Sequence, residues 1–392
     1  MTTYDVIVVG ARCAGSPTAM LLARRGLRVL VVDRARFPSD TVSTHILHPL
    51  GVAALQRWGL TRGVAGCPPI DTYSVDFGPF SLTGAPGTPD SAVAYAPRRT
   101  QLDAVLVEAA AEAGAEVRQG FNVGEVLVED GGVVGIRGRD AGGATVTERA
   151  RVVIGADGLH SVVAETVRPE EYRERPRLLA AYYGYWSGLP MDGRFETYVR
   201  PDRGIAAWPT NDGLTMVIAG WPYAEFAQNK TDAGRHYRAA LDLVPEFAER
   251  IADARLETRL VGAAVPNFFR KPFGPGWALV GDAGYLKDFI TGQGMQDAFR
   301  DAELCATAVA DALEGRRPFE SGMADYQAVR DAAVSGIYDL TCELATLEPP
   351  TPEMQQVLGS LVGDRTGMDL FARVCAGVTP PEELFAHASG AH

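Results

Sequence analysis

Three aspartates share one local setting, each closing an apolar run beside a small-residue turn. Asp33 ends Val29-Leu30-Val31-Val32, Asp157 follows Val152-Val153-Ile154-Gly155-Ala156, and Asp282 follows Ala278-Leu279-Val280-Gly281. Ligands of open α/β sheets bind at the C-terminal ends of strands, where a carboxylate can accept hydrogen bonds from hydroxyl groups. Two glycine-rich segments complete the set. Gly10-Ala11-Arg12-Cys13-Ala14-Gly15 follows the apolar run Tyr4 to Val9, and Thr291-Gly292-Gln293-Gly294-Met295 opens a helical stretch through Glu314. A glycine turn at a helix start presents free backbone N–H groups and the positive end of the helix dipole to an anion. Tyr4 to Asp33 therefore reads as a βαβ unit that binds a dinucleotide, with pyrophosphate on the turn and Asp33 on a ribose hydroxyl. Arg12 stands in place of the middle glycine. It is compatible if its side chain turns away and only its backbone meets phosphate. Asp157 taken alone reads equally well as a turn or cap residue.

The elements that must position these groups follow from patterning. Pro17 falls in the opening turns of the first helix and Gly26 ends it. Arg34 to Pro49 is a polar loop in which His45 and His48 could face a cofactor, although loop-packing or surface histidines are the plainer reading. Gly51 to Trp58 forms a short helix, Gly66 to Tyr95 a β-hairpin excursion and Leu102 to Ala113 an amphipathic helix. Strands near Glu116-Val117, Val123 to Glu129 and Val133 to Arg137 read as a three-stranded meander that turns at Asp130-Gly131-Gly132. Between Leu178 and Gly262, four aromatic-rich strands predict an antiparallel sheet with one covered face, a floor for a flat or apolar ligand. Thr231 to Ala254 is helical, as is the chain from Arg317 onward, with breaks at Pro349-Pro350 and Pro380-Pro381.

The totals narrow the function. A chain of 392 residues holds two to three domains, and its net charge of −12 argues against non-specific nucleic-acid binding. No apolar run approaches the roughly 18 residues of a membrane span. No signal peptide is visible after Met1-Thr2-Thr3, so the expected compartment is cytoplasmic. Five scattered cysteines without C-x-x-C spacing and six dispersed histidines predict free thiols and no metal site. Of the 37 basic residues only Lys230, Lys271 and Lys287 are lysines, which reads as a coding preference.

In order and spacing, the three segments across residues 4 to about 315 resemble the flavin-dependent monooxygenases of the para-hydroxybenzoate hydroxylase fold, whose superfamily includes geranylgeranyl reductases and flavin halogenases. The resemblance implies an α/β fold: a Rossmann-like FAD-binding domain (1–70, 96–175 and 266–315), an inserted antiparallel β-sheet substrate domain (71–95 and 176–265) and a C-terminal helical region (316–392). It implies FAD held by Gly10, Ala11, Arg12, Ala14 and Gly15 at the pyrophosphate and Asp33 at the ribose, with Arg34 and Val123 alongside. Arg99 is then placed at the phosphate or ribityl region, Asp157 near the pyrophosphate and ribose, and Gly281-Asp282 at the ribityl hydroxyls. Gly292, Gln293, Gly294 and Met295 bring backbone N–H groups to the flavin ring. The chain departs from the family at Tyr285, where histidine is frequent, at Asp288-Phe289, where a proline pair is common, and at Ala164, where arginine is usual. Asp288 could act as a local acid or base, although a solvated loop carboxylate is the plainer reading; with His45 and Tyr285 it makes up the catalytic candidates, and Tyr183, Tyr185, Trp208 and Phe289 are the substrate-pocket candidates.

By the same resemblance the expected activity is an FAD monooxygenase that hydroxylates or epoxidises an aromatic or polyketide-like small molecule through a flavin hydroperoxide. NAD(P)H would serve as a transient electron donor, or a separate flavin reductase would act as partner, because there is no second dinucleotide motif. A C=C reductase of the geranylgeranyl-reductase type is the alternative. A halogenase is disfavoured by the absence of any lysine before Lys230, and a non-redox FAD-holding protein stands as a further class.

Overall fold

A computed structural model of the chain describes residues 3–389. Short, β-branched apolar runs form the central parallel strands. β1 (Tyr4–Val9) pairs with β2 (Val29–Asp33) from Val6 opposite Val29 to Val9 opposite Val32, and α1 (Gly15–Arg24) crosses between them. On the other side of β1 lies β8 (Thr145–Gly155), and beyond it β18 (Trp277–Leu279), both parallel. β5 (Glu116–Gln119) extends the β2 edge in parallel, while the short β17 (Phe273–Gly274) runs antiparallel to β18. The C-terminal ends of β18, β8, β1 and β2 therefore lie side by side, three strand spacings or about 14 Å across. The ladder continues past the strand ends: Gly10 N–H donates to Val32 O at 2.8 Å, Ala156 N–H to Val9 O at 2.8 Å and Val280 N–H to Gly155 O at 3.0 Å.

The expected meander is corrected in its membership. Its strands are β6 (Asn122–Glu129), β7 (Gly132–Arg139) and the first half of β8, whereas Glu116-Val117 belongs to β5. α3 (Arg99–Glu112) supplies the crossover that a parallel pairing with β2 requires. The eleven residues of β8 change partners along their length: Thr145 to Arg149 pair with β7, while Ala150 to Gly155 pair with β1 and, from Val153 to Gly155, also with β18 on the other side. One face of the parallel sheet packs on α1, α3, α2 (Pro49–Trp58) and α8 (Gly294–Leu313) through Met20, Leu55, Leu106 and Phe299. The other packs under β6, β7 and α4 (Val162–Val167).

The second sheet takes the order β14-β10-β13-β12-β11-β3-β4, with β15 also on β10. Its members are β3 (Thr72–Asp76), β4 (Ser81–Gly84), β10 (Leu179–Ser187), β11 (Arg194–Arg200), β12 (Arg203–Pro209), β13 (Leu214–Pro222), β14 (Arg255–Leu256) and β15 (Val261–Ala263). It is antiparallel except where β3 meets β11 in parallel, because the hairpin of residues 72–84 docks from a distant part of the chain. Both faces are covered, which corrects the expectation of one. The stretch after the short α5 (Phe226–Asn229) folds into α6 (Ala233–Leu241) and α7 (Pro245–Ala252), parted before Pro245, and these bury Trp186, Tyr198 and Phe247 on the outer face.

A third sheet joins β9 (Glu171–Arg175), β16 (Asn267–Arg270) and β19 (Tyr285–Leu286) beneath α9 (Phe319–Leu344). The chain then forms α10 (Pro352–Ser360), α11 (Arg365–Cys375) and α12 (Pro381–Ala388). Thr351 and Asp364 cap α10 and α11 by accepting from Met354 N–H and Thr366 N–H at 3.2 and 3.1 Å. Among the described residues no helix is long and apolar enough to cross a membrane.

Candidate functional site

The glycine turn after β1 is forced by close approach. Gly10 has φ 99°, and a Cβ there would stand 2.4 Å from Ala156 O, while one on Gly15 would stand 1.8 Å from Gly10 O. Asp33 braces this turn: its Oδ2 accepts from Ala11 N–H at 2.8 Å and its Oδ1 from Ala35 N–H at 2.7 Å. Each oxygen keeps a lone pair for an outside donor. Arg12 turns its guanidinium away from the glycine backbone, to Asp103 at 2.6 Å and the Ser39 hydroxyl at 2.7 Å. Arg34 is exposed beside Asp33, and Val123 packs on the cluster containing Phe121 and Val126. Across the edge, Asp157 Oδ2 accepts from Val162 N–H at 2.7 Å at the start of α4, which Ser161 caps, and its Oδ1 is buried without a partner.

Arg99 lies at the start of α3, buried and tied to Asp103 Oδ1 through Nε at 3.0 Å and Nη2 at 2.9 Å. Fully buried Asp103 thus carries two arginines, Arg12 and Arg99, and also accepts from the Cys13 thiol at 3.4 Å. Arg99 also reaches Asp282 electrostatically. Crowding by protein pushes the Asp282 carboxyl up to about 6, while Arg99 and Lys287 pull it down. Asp282 nevertheless keeps substantial solvent-exposed surface, which sets it on the floor of a cleft rather than on convex surface.

The second glycine segment turns through Gly292 at φ 65° and enters α8 at Gly294. No side chain caps this helix, and Asp297 N–H is the first to find a partner in the preceding turn, Gln293 O at 3.0 Å. A Cβ on Gly294 would meet nothing within 4 Å, so the space ahead of the helix start is open. Beneath it lies a buried charge chain that the sequence did not reveal. Lys287 pairs with Asp297, which also takes Arg300 at 2.9 Å, and Arg300 reaches Asp301 at 2.8 Å. The signal was present in Asp297, Arg300 and Asp301, charges at helical spacing on a face that otherwise packs apolar side chains.

Facing this loop, the second sheet presents a row of large side chains in direct register. Tyr185 lies opposite Met216, Met216 opposite Trp208, and Phe195 opposite Tyr73. Phe195 stacks on Trp208 with ring centres 4.9 Å apart, closing the row across five strands. Both ends of the row are held by the loop before α2. His45 bonds the Tyr185 hydroxyl, and His48 Nδ1 lies 2.5 Å from the Tyr73 hydroxyl while its Nε2–H donates to Thr291 O at 3.0 Å. Burial lowers His48 to about 4 and His45 to about 3, so both rings are neutral near pH 7. His48 therefore accepts from Tyr73 and donates to the turn preceding α8, joining the aromatic row to the glycine segment. Arg98 lies 4.0 Å over the Tyr185 ring and pairs with Asp40 at 2.9 Å, and Trp208 Nε1 is buried without a partner.

The candidates divide accordingly. Tyr183, Tyr185 and Trp208 share one cluster, which also takes in Ile46 of the loop before α2. Phe289 packs elsewhere, against Leu178, Leu179 and Leu347, and Tyr285 packs with Phe269 and Tyr338 below α9. Asp288 is buried, its Oδ1 accepting from Ile290 N–H at 3.0 Å and its Oδ2 without a partner, and burial pushes it up to about 7. Tyr73, which His48 holds at one end of the aromatic row, and Asp103, which holds Arg12 and Arg99, were not among the expected site residues. All five cysteines are free, and no group of metal-ligating side chains assembles among the described residues.

Against known proteins, the family model described as "FAD binding domain" matches residues 3–341. The chain is 27% identical to phenazine 1,6-dicarboxylic acid hydroxylase PhzS of Lysobacter antibioticus over 399 residues, 92% of this chain and 96% of that protein. It is 25% identical to digeranylgeranylglycerophospholipid reductase 1 of Methanopyrus kandleri over 359 residues, 88% and 91% of the two. In fold it is similar to the myxobacterial chondrochloren halogenase CndH, with a TM-score of 0.82, 23% identity and coverage of 99% of this chain and 97% of that one. The residues present fit FAD. The close-packed Gly10–Gly15 turn, the spare capacity of Asp33, the unpartnered Asp157 oxygen, cleft-floor Asp282 and the open start of α8 line a single edge.

Proposed function

The chain belongs to the FAD binding domain family and is an FAD-dependent oxidoreductase, and from that premise we propose that it is a monooxygenase acting on a flat, aromatic or polyketide-like small molecule. The observation that carries this reading is the aromatic row Tyr185–Trp208–Phe195–Tyr73, which faces the glycine segment and is pinned to it through His48. Bound FAD, once reduced by NAD(P)H or by a separate reductase, supplies the capacity to activate oxygen.

The protein's own part is binding, orientation and exclusion of water. Gly10 to Gly15 and Asp33 hold the adenosine and pyrophosphate end, and Asp282 accepts from the ribityl hydroxyls. The N–H groups at Gly294 and Met295 favour negative charge on the ring, as a helix start does. The aromatic row takes the face of a planar substrate, while the Tyr185 hydroxyl, oriented by neutral His45, meets a substrate oxygen at the row's end. Burial on both faces of the sheet keeps water from the reacting atoms.

The test is substrate-dependent oxygen uptake with a product heavier by about 16 mass units, one oxygen atom. Conversion that proceeds in full without oxygen would end this reading, and anaerobic turnover that consumes dithionite or NAD(P)H would support the C=C reductase reading, which the similarity to the digeranylgeranylglycerophospholipid reductase favours.

A further inference from the structure

The C-terminal helix α11 bridges the two halves of this site. At one end, the Asp369 carboxylate accepts from Ala85 N–H at 2.8 Å, just past β4. Gly84 approaches so closely there that a Cβ would stand 2.2 Å from Met368 O. At the other end, the side-chain amides of Gln293 and Gln296 donate to the carbonyls of Cys375 and Ala376, each at 3.3 Å. These carbonyls belong to the last turn of α11 and its cap, where a helix lacks internal donors. Gly377, at φ 67°, presses its backbone against both amides, its ideal Cβ position lying 2.7 and 2.8 Å from their nitrogens. Between these anchors Ala372 and Ala376, 1% and 0% exposed, pack in the same cluster as Tyr183, Tyr185 and Trp208. Two methyl groups thus stand where longer side chains would intrude on the aromatic row.

We propose that α11 is the wall that sets substrate size, with Ala372 and Ala376 determining the depth open to a planar ligand and the Gln293–Gln296 clasp holding the wall in place. The proposal rests on the functional reading only in taking the ligand to enter beside bound FAD. Gln293 is shared with the glycine segment, so occupancy of that segment and position of the wall are mechanically linked.

The test uses the full FAD-loaded chain, reduced anaerobically, and follows its reoxidation by 1,4-benzoquinone, with one ring, and 9,10-phenanthrenequinone, with three. Gln296→Ala is expected to speed the three-ring reaction about five-fold, the equilibrium shift of one lost buried hydrogen bond, and to leave the one-ring rate within about two-fold. Ala376→Leu is expected to slow the three-ring reaction selectively. Equal changes with both quinones, or none, in variants of unaltered melting temperature would overturn the proposal. Failure of the wild-type chain to bind FAD would instead sink the functional reading. The wall is then judged by hydrogen exchange in the FAD-free protein, where Gln296→Ala should speed exchange of 365–378 about five-fold and spare 179–222. Unchanged exchange across 365–378 would refute it.

Discussion

Asp103 and Asp288 are both buried carboxylates, and their neighbours give them opposite behaviour. Asp103 holds Arg12 and Arg99 in place, so Asp103→Ala strands the buried Arg99 charge. The expected loss is about 3–5 kcal/mol of stability, read from denaturant unfolding, whereas an exposed pair would cost under about 1 kcal/mol. Among the described residues no cation pairs with Asp288, since its chain neighbour Lys287 turns to Asp297. The Asp288 carboxyl is raised by burial from 3.8 to about 7, so the folded state binds a proton that the unfolded chain has released. Its ionisation therefore opposes folding most strongly above pH 7, and the penalty fades as pH falls from 7 toward 4. Asp288→Asn should melt about 2–4 °C above wild type at pH 8, with the gap narrowed to under about half at pH 5 and closing near about pH 4. An equal gap at both values would assign the effect to packing. Asp33, Asp157 and Asp282 were legible in the sequence because each is announced by its own strand and turn. Asp103 and Asp297 were not, since their roles depend on partners such as Arg12, 91 residues away from Asp103 in the chain.

Glycine does different work in the two turn elements, and the difference is measurable. At Gly10 the neighbouring strand backbone fills the space, so Gly10→Ala should destabilise the protein whether or not a nucleotide is present. At Gly294 the space is open and the backbone is helical, so Gly294→Ala should keep or slightly raise the melting temperature while cutting FAD affinity about ten-fold or more. Parallel losses of stability at both positions would contradict this account of α8. The parallel core was legible because short β-branched runs alternate with helical spacing. The meander was misassigned because β8 divides its length between the antiparallel β7 and the parallel β1, a decision made by pairing partners and not by local pattern. The histidines were read more plainly as packing residues. The structure buries both and ties each to a tyrosine of the aromatic row, contacts that depend on Tyr73 and Tyr185 arriving from distant strands.

At the scale of the molecule, a nucleotide sheet, an aromatic sheet and a C-terminal helix meet at the loop between Lys287 and Gly294. Family resemblance fixed the first two and their order, while the contribution of α11 emerged only from its contacts. The central claim is that Asp33, Asp157, Asp282 and the start of α8 form one seat for FAD. Its most direct test is titration of FAD into the cofactor-free chain, followed by heat and by the flavin absorbance near about 450 nm. The expected result is one FAD per chain, with affinity falling about ten-fold or more in Asp282→Ala. A wild-type chain that takes up no FAD, or an Asp282→Ala chain that binds it as tightly as wild type, would contradict the account.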